Sequence, residues 1–465
     1  MAVVVENRVE QLLDEAVAIG DRILASRAQT RDGTPTWLGP TGYGSDLSPL
    51  QLTKLGPNLY DGIPGIALFL AALGAVTGRA DYADMGLQAL APFRRKLLEF
   101  VREPDRAAKL DLPIGSLIGI GSFIYSFLKI GEILDKPSLV RDAHEVTVLL
   151  TPERIARDQR VRVQTGSAGA ILALLSLHKA LPEANQAGRS PLDIARECGL
   201  HLRRERLSYE GRPKAWPLSP GKPPLLGFCY GAAGTSYALL RLFEISPEPE
   251  WRQTAREGWD YVDSFYRPEE RRWTDVRLLL QSRFEGPRQG SWRDWWLSGA
   301  TDNSDLLKKK ATQESPENSS ETILPNKWCH GAPGIALARL GTLASLDTPE
   351  IRDEIEGAME ETRTFARPET FAEHAMDDLC CGHMGRAEAL LYASGRLGDE
   401  SLLEAARALA SQVAGRARTN GSYKVTAARG TEHFSPSFFQ GHAGIGYTLL
   451  RLARPGALPC VLLLE

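Results

Sequence analysis

The sequence predicts an all-α protein that is built from seven helical hairpins. One observation is a motif, a Gly-x-x-Gly turn followed by an apolar helix, that recurs along the whole chain. The other is its spacing, because most copies start about 47 to 65 residues apart, which fits two helices and two turns. Hydrophobic residues make up 43% of the 465 residues and charged residues 24%, as in an ordinary globular protein.

Each copy of the motif predicts one hairpin. The first glycine permits a tight turn and the second permits close packing where the helix begins. In the first copy, Ile66, Phe69, Leu70 and Leu73 then follow at helical spacing. One hairpin cannot bury its apolar face alone, so the hairpins must stack, either as an open solenoid or as a closed ring. The copies begin at Gly62, Gly119, Gly166, Gly231, Gly331, Gly382 and Gly441.

We expect a single domain that spans residues 1–465. Two of its segments stand outside the repeats. Residues 1–45 precede the first copy, and apolar residues such as Leu12 and Ala16 fall at helical spacing there, which predicts a helical lead-in. Residues 301–321 form a polar run without apolar periodicity. We expect this run to be a surface insertion in the long interval between the fourth and fifth copies.

Composition and charge exclude several classes of partner. The net charge of −3 gives no electrostatic reason to expect binding to nucleic acid or to an anionic membrane. The most apolar stretch, residues 62–76, contains Pro64 and Gly65 and is too short for a bilayer span. The N-terminus does not have the form of a signal peptide. We therefore expect a protein of the cytoplasm without a membrane span.

The cysteines are concentrated at the glycine turns. Six cysteines in a chain of this length do not suggest a disulfide framework. Four of them stand one or two places before a glycine pair: Cys229, Cys329, Cys380 and Cys381. If all seven turns face one centre, the two residues before each first glycine line it. Grouped cysteines in a reducing compartment indicate metal binding or catalysis.

Cys329, Cys380 and Cys381 come from consecutive repeats and can therefore converge. Zinc is the metal we expect, because it binds thiolates at about 2.3 Å in tetrahedral sites. Three protein ligands leave one position open, and a thiolate-rich site suits activation of a thiol better than activation of water. The alternative is a set of buried hydrophobic thiols. Cys229 is either a core thiol, a pocket thiol or a fourth ligand, which would close the site.

Three motifs resemble those of the LanC-like family, and within it the C-terminal cyclase domain of class II lanthipeptide synthetases. They are LYDGIPGIALFLA at 59–71, WCHGAPGIALARL at 328–340 and LCCGHMG at 379–385. The resemblance covers nearly the whole chain and implies an α/α toroid, a double ring of seven helical hairpins. It also implies one zinc ion, with Cys329 and Cys380 as ligands and Cys381 where most members have histidine.

The resemblance further implies an enzyme that adds cysteine thiolates of a dehydrated precursor peptide to dehydroalanine or dehydrobutyrine. The products are lanthionine and methyllanthionine rings. A dehydratase domain of the same enzyme is the partner that this reaction implies. Two other activities remain as alternatives: addition of glutathione to dehydroamino acids, and a non-catalytic, zinc-stabilised peptide-binding module.

Two positions depart from the family's pattern. Tyr230 stands where the family has its general acid/base histidine, and Arg162 stands where it has an aspartate. Addition to a dehydroamino acid still requires that the enolate be stabilised and protonated. His330, next to Cys329, is the titratable group best placed by sequence. We therefore take His330, Tyr230 and Arg162 as the candidate catalytic residues.

Overall fold

The computed structural model describes residues 2–41, 51–109, 112–185, 188–217, 222–277, 326–371, 375–428 and 433–465. The polar insertion expected at 301–321 lies outside these residues, as do residues 42–45 of the expected lead-in. Among the described residues, no helix is both long enough and apolar enough to cross a membrane.

Seven helices form an inner ring, and each begins directly after the first glycine of a repeat. Nearly all their residues are buried, because they pack against neighbours on both sides and against an outer helix. Apolar residues therefore surround these helices instead of forming one stripe. They are α2 (Ile63–Thr77), α5 (Ile120–Ile133), α8 (Ser167–Ala180), α10 (Ala232–Ile245), α12 (Ala332–Gly341), α14 (His383–Leu397) and α16 (His442–Ala453).

Seven further helices form an outer ring, and each packs against one inner helix. They are amphipathic: in the helix that begins at Pro249, for example, Trp251, Ala255 and Trp259 share the buried face. The outer helices are α1 (Ala2–Ala25), α3 (Ala80–Arg102), α6 (Pro137–Glu145), α9 (Pro191–Glu205), α11 (Pro249–Asp263), α13 (Pro349–Thr364) and α15 (Glu400–Asn420).

Contacts between neighbouring inner helices close the ring. Each inner helix packs against the next one along the chain, and the last, α16, packs against the first, α2. Helix α1 packs on α16 and supplies the outer helix of the seventh hairpin. The N-terminal segment is thus part of the double ring. The predicted α/α toroid is confirmed, and of the two arrangements that the repeats left open the chain forms the closed ring.

In six of the seven turns, the second glycine lies where the chain folds back onto its own helix. A Cβ at Gly234 would lie 1.8 Å from the carbonyl oxygen of Phe228, so no side chain fits there. In the degenerate second copy, Ser122 stands at this position, and its hydroxyl donates a hydrogen bond of 2.7 Å to the carbonyl of Gly119. Gly119 has a φ of 128°, a conformation that favours glycine.

Short elements complete the described chain. Three two-stranded antiparallel ribbons pair β1 (Ala28–Gln29) with β2 (Pro35–Thr36), β3 (Leu38–Thr41) with β4 (Gln51–Lys54), and β5 (Tyr266–Arg267) with β6 (Arg272–Trp273). Two helices of one turn, α4 (Pro104–Ala108) and α7 (Pro152–Ala156), lie between the larger ones. The 3₁₀ turns are Val146–Leu149, Pro368–Thr370 and Thr426–Ala428.

The C-terminal segment fills the ring from the end opposite the glycine turns. Residues 461–464 are buried between the inner helices. Hydroxyl groups from three different inner helices donate hydrogen bonds to carbonyl groups of this segment. These are Tyr237 to Leu463 at 3.3 Å, Ser176 to Leu464 at 2.7 Å and Tyr125 to Glu465 at 3.3 Å.

Candidate metal centre

The glycine turns meet around one centre because the backbone links them to one another. The residue two places before the first glycine donates its N–H to the equivalent carbonyl of a neighbouring turn, at 2.8 to 3.2 Å. Five such links run from Cys380 to Phe439, Phe439 to Tyr60, Tyr60 to Leu117, Leu117 to Gln164 and Gln164 to Cys229. Side chains from different repeats are thereby held around one common centre.

Three sulfur atoms converge in this ring of turns. The Sγ atoms of Cys329, Cys380 and Cys381 all lie within 4.8 Å of one another. The Sγ atoms of Cys329 and Cys381 are 3.6 Å apart. Cys329 and Cys380 are 2% and 1% exposed, whereas Cys381 is half-buried. This is the one group of three or more potential metal ligands that converges in this way in the described part of the chain.

The cysteine cluster fits a zinc ion. Four thiolates at about 2.3 Å from a tetrahedral metal are about 3.8 Å from one another. The 3.6 Å between Cys329 and Cys381 is close to that edge length. Soft thiolate ligands favour zinc over the hard cations that prefer oxygen. Cys229 lies outside this group of three, so the cluster leaves one tetrahedral position for another ligand.

The three candidate catalytic side chains lie together at the turns of the third, fourth and fifth repeats. The rings of Tyr230 and His330 stack with their centroids 5.0 Å apart. The guanidinium of Arg162 is 5.9 Å from the centre of the Tyr230 ring. Gln164 donates a hydrogen bond of 3.0 Å from its amide to the Tyr230 hydroxyl. The sequence identified the three candidates one by one. In the structure, the Tyr230 ring lies next to both His330 and Arg162.

Burial shapes the charge of these groups. It lowers the pKa of His330 well below its usual value of 6.5, and the positive charges of Arg277 and Lys327 lower it further. Burial also lowers the pKa of Arg162, which is half-buried.

Comparison with known proteins identifies the family. The family model described as "Lanthionine synthetase C-like protein" matches residues 53–463. The chain belongs to the lanthionine synthetase C-like family. Among solved structures, this LanC-like chain is similar to the nisin cyclase, with 16% sequence identity and a TM-score of 0.50 over 88% of this chain and 92% of that one. At this level of identity the likeness concerns the fold.

Two other solved structures match at lower similarity. An α-mannanase of Bacteroides thetaiotaomicron matches with 8% identity and a TM-score of 0.42, over 96% of this LanC-like chain and 95% of that one. A cellobiose 2-epimerase of Spirochaeta thermophila matches with 13% identity and a TM-score of 0.41, over 78% and 96%. No curated protein matches the sequence.

Sequence reasoning assigned no role to Tyr60, although it counted this residue among those lining the centre. In the LanC-like ring, the Tyr60 hydroxyl donates a hydrogen bond of 3.0 Å to the Sγ of Cys380. Burial raises the pKa of Tyr60 well above its usual value of 10, and the neighbouring Cys380 and Tyr230 raise it further. The signal in the sequence was its position two places before a glycine pair.

Sequence reasoning also missed Asp378, which holds the backbone of the cysteine pair. Its Oδ1 accepts a hydrogen bond of 2.9 Å from the N–H of Cys381. Its Oδ2 accepts hydrogen bonds from the N–H of Thr426 at 2.8 Å and from the hydroxyl of Thr426 at 2.5 Å. Burial, and next the neighbouring Cys381, raise the pKa of Asp378 to about 7.

Arg277 is a third residue that the sequence did not single out. Its Nε donates to both carboxylate oxygens of Asp275, at 2.8 and 2.9 Å. Burial lowers the pKa of Arg277, but the pKa is raised overall by the hydrogen bonds and charge of Asp275 and by the charges of Cys329 and Cys381. A cation therefore stands within electrostatic reach of the cysteine cluster. No motif marks this arginine, because it lies within the long interval between the fourth and fifth copies.

Proposed function

We propose that the chain is a zinc-dependent lanthionine cyclase that closes thioether rings in a dehydrated precursor peptide. The observation that carries this proposal is the convergence of Cys329, Cys380 and Cys381 at the ring of turns in a chain of the LanC-like family. Three thiolates suit a metal that receives a fourth sulfur from the substrate. The similarity in fold to the nisin cyclase supports the same conclusion.

Cys329, Cys380 and Cys381 would hold the zinc ion, which would lower the pKa of a peptide thiol so that it ionises near neutral pH. In the proposed reaction the substrate sulfur forms a bond to the β-carbon of dehydroalanine or dehydrobutyrine. The electron pair of the carbon–carbon double bond moves toward the adjacent carbonyl and gives an enolate. A proton is then added to the α-carbon. The proton lost from the thiol is thus balanced by the proton gained at carbon.

We assign the handling of this proton to His330 and Tyr230, and stabilisation of the enolate oxygen to Arg162. The stacking of the Tyr230 and His330 rings and the nearby guanidinium of Arg162 support this assignment, because proton transfer and enolate stabilisation need titratable and cationic groups close together. The amide of Gln164 orients the Tyr230 hydroxyl through its hydrogen bond. These roles replace the histidine and aspartate that the family's pattern has at the positions of Tyr230 and Arg162.

The proposed partners follow from this chemistry. The substrate must arrive with its serine or threonine residues already dehydrated, so a dehydratase domain, of the same enzyme or a separate one, must act first. All six cysteines are free thiols in the described structure. A reducing compartment such as the cytoplasm suits such a centre, because thiolates persist there.

The test is a ring-closure assay with a dehydrated precursor peptide. Ring closure leaves the peptide mass unchanged, so N-ethylmaleimide is added afterwards and mass spectrometry counts the thiols that remain. The wild-type protein is expected to protect the peptide cysteines from alkylation. Cys329→Ala, Cys380→Ala and Cys381→Ala are expected to lose both bound zinc and protection. Cys198→Ala is the matched control, because Cys198 is a buried cysteine of α9 outside the cluster.

Other outcomes separate the alternatives. Zinc bound at one equivalent without protection of any peptide thiol contradicts the proposal and identifies a peptide-binding module. Addition of glutathione to the dehydrated peptide, in place of ring closure, identifies a glutathione-adding enzyme. Full protection by metal-free protein contradicts the role of the three cysteines.

A further inference from the structure

We propose that Tyr60 is a positioning residue of the metal centre, whose hydroxyl holds the Cys380 sulfur and withdraws charge from it. The hydroxyl lies 3.0 Å from the Sγ of Cys380. This inference rests on the zinc centre of the proposed function. It adds to that centre a hydrogen bond that lowers the charge on one of the three ligand sulfurs. It concerns a residue of the first repeat, more than 260 positions from the first ligand in sequence.

One residue, Phe439, clamps the tyrosine and the cysteine together. The N–H of Phe439 donates to the carbonyl of Tyr60, and the N–H of Cys380 donates to the carbonyl of Phe439, both at 2.8 Å. The rings of Tyr60 and Phe439 stack with their centroids 5.2 Å apart and their planes 11° from parallel. Both ends of the hydrogen bond are therefore fixed by the backbone and by ring stacking before any ligand binds.

In the described part of the chain, the Tyr60 hydroxyl finds its hydrogen-bond partner in the Cys380 sulfur. Tyr60 is 1% exposed, and among the described residues the Sγ of Cys380 is the hydrogen-bond partner of its hydroxyl. A buried hydroxyl without a partner is costly, and phenylalanine would fill the same apolar space without that cost. The geometry thus accounts for a tyrosine at this position through its contact with Cys380.

The hydrogen bond matters because the proposed centre is rich in negative charge. Three protein thiolates and one substrate thiolate around Zn²⁺ give a formal charge of −2. A hydrogen bond donated to one thiolate lowers the charge on that sulfur. It also favours metal binding, because it stabilises the ionised form of the thiol and holds the sulfur in position. Cys380 is then a less nucleophilic sulfur, so the substrate thiolate, and not this ligand, is the sulfur that attacks the dehydroamino acid.

The experiment uses cobalt in place of zinc, because Co²⁺ bound to thiolates has a sulfur-to-metal charge-transfer band. In Tyr60→Phe the band is expected to move to longer wavelength, since a sulfur without the hydrogen bond gives up charge more readily. Zinc affinity, measured by competition with a chelating dye, is expected to fall about 10-fold. Tyr125→Phe is the matched control: it is also a buried tyrosine of the inner ring, but its hydroxyl contacts the carbonyl of Glu465.

A second variant keeps the shape of the side chain. Incorporation of 3-fluorotyrosine at position 60 retains the hydroxyl and makes it a stronger donor, so the band is expected to move to shorter wavelength. A band that stays in place in both variants, or that moves equally in the Tyr125→Phe control, overturns the inference, as does a wild-type protein that binds no cobalt. None of these readouts requires ring closure, so a shifted band in a protein that closes no rings would contradict the proposed function alone.

Discussion

At the scale of single residues, the centre depends on groups that orient the cysteines as much as on the cysteines themselves. Tyr60 contacts the Cys380 sulfur, and Asp378 holds the Cys381 backbone to Thr426. Cys380 and Cys381 are adjacent in the chain, so their sulfur atoms converge on one site only if the turn that contains them is held in one conformation. The Asp378 carboxylate fixes it by accepting hydrogen bonds from both sides.

Asp378→Asn is expected to weaken zinc binding about 10- to 100-fold, because one carboxylate oxygen is replaced by an NH₂ group that cannot accept a hydrogen bond. Competition with a zinc-chelating dye measures the affinity. The matched control is Asp377→Asn: Asp377 is equally buried, but its carboxylate pairs with Arg416 and accepts from the Lys424 N–H. If both variants lose affinity to the same extent, the loss reflects the loop as a whole and the role of Asp378 is contradicted.

How far the sequence predicts the residues of the centre depends on the range of the interaction. The cysteines and the candidates at 230 and 330 stand beside a glycine turn, so their position relative to the centre follows from a local motif. Tyr60, Asp378 and Arg277 also depend on interactions between segments that are far apart in sequence, with Cys380, with Thr426 and with the cysteine cluster. Those contacts exist only once the ring has closed, and no single stretch of the chain encodes them.

At the scale of elements, the glycine turn determines how each inner helix begins. The turn folds the chain back onto the first helical residues, where the second glycine meets a backbone carbonyl. The seven hairpins were predictable for this reason, because the motif is short and recurs at each of them. The sequence could not decide between solenoid and ring, since closure depends on α1 and α2 packing against α16 at the other end of the chain.

Gly234→Ala is expected to lower the free energy of unfolding by about 1 to 3 kcal/mol or more, because the added Cβ would lie 1.8 Å from the Phe228 carbonyl oxygen. Chemical denaturation followed by circular dichroism measures this. Gly415→Ala is the matched control, since no atom lies within 4 Å of a Cβ there and the residue is inside helix α15. It is expected to stabilise by about 0.4 to 1 kcal/mol. Equal effects in the two variants would contradict the close approach at the turn.

At the scale of the whole molecule, the double ring has two different ends. The glycine turns hold the cysteine cluster at one end, and the buried C-terminal segment fills the other. The segment contacts inner helices α5, α8 and α10 through the hydroxyls described above. A substrate peptide is therefore expected to approach from the end of the turns.

Leu463→Ala is expected to destabilise the protein by about 2 to 5 kcal/mol, because it removes a fully buried side chain from the middle of the ring. Leu397→Ala, at the end of inner helix α14 and 43% exposed, is the matched control and is expected to cost less than about 1 kcal/mol. Thermal unfolding compares the two. A Leu463→Ala variant as stable as Leu397→Ala would show that the C-terminal segment does not pack inside the ring.

X-ray absorption at the zinc edge tests the central claim most directly. The zinc-loaded wild-type protein is expected to show three sulfur neighbours at about 2.3 Å, and four when a dehydrated peptide with free cysteines is added. A metal surrounded only by nitrogen and oxygen, or a sulfur count that stays the same when the peptide is added, would contradict the account.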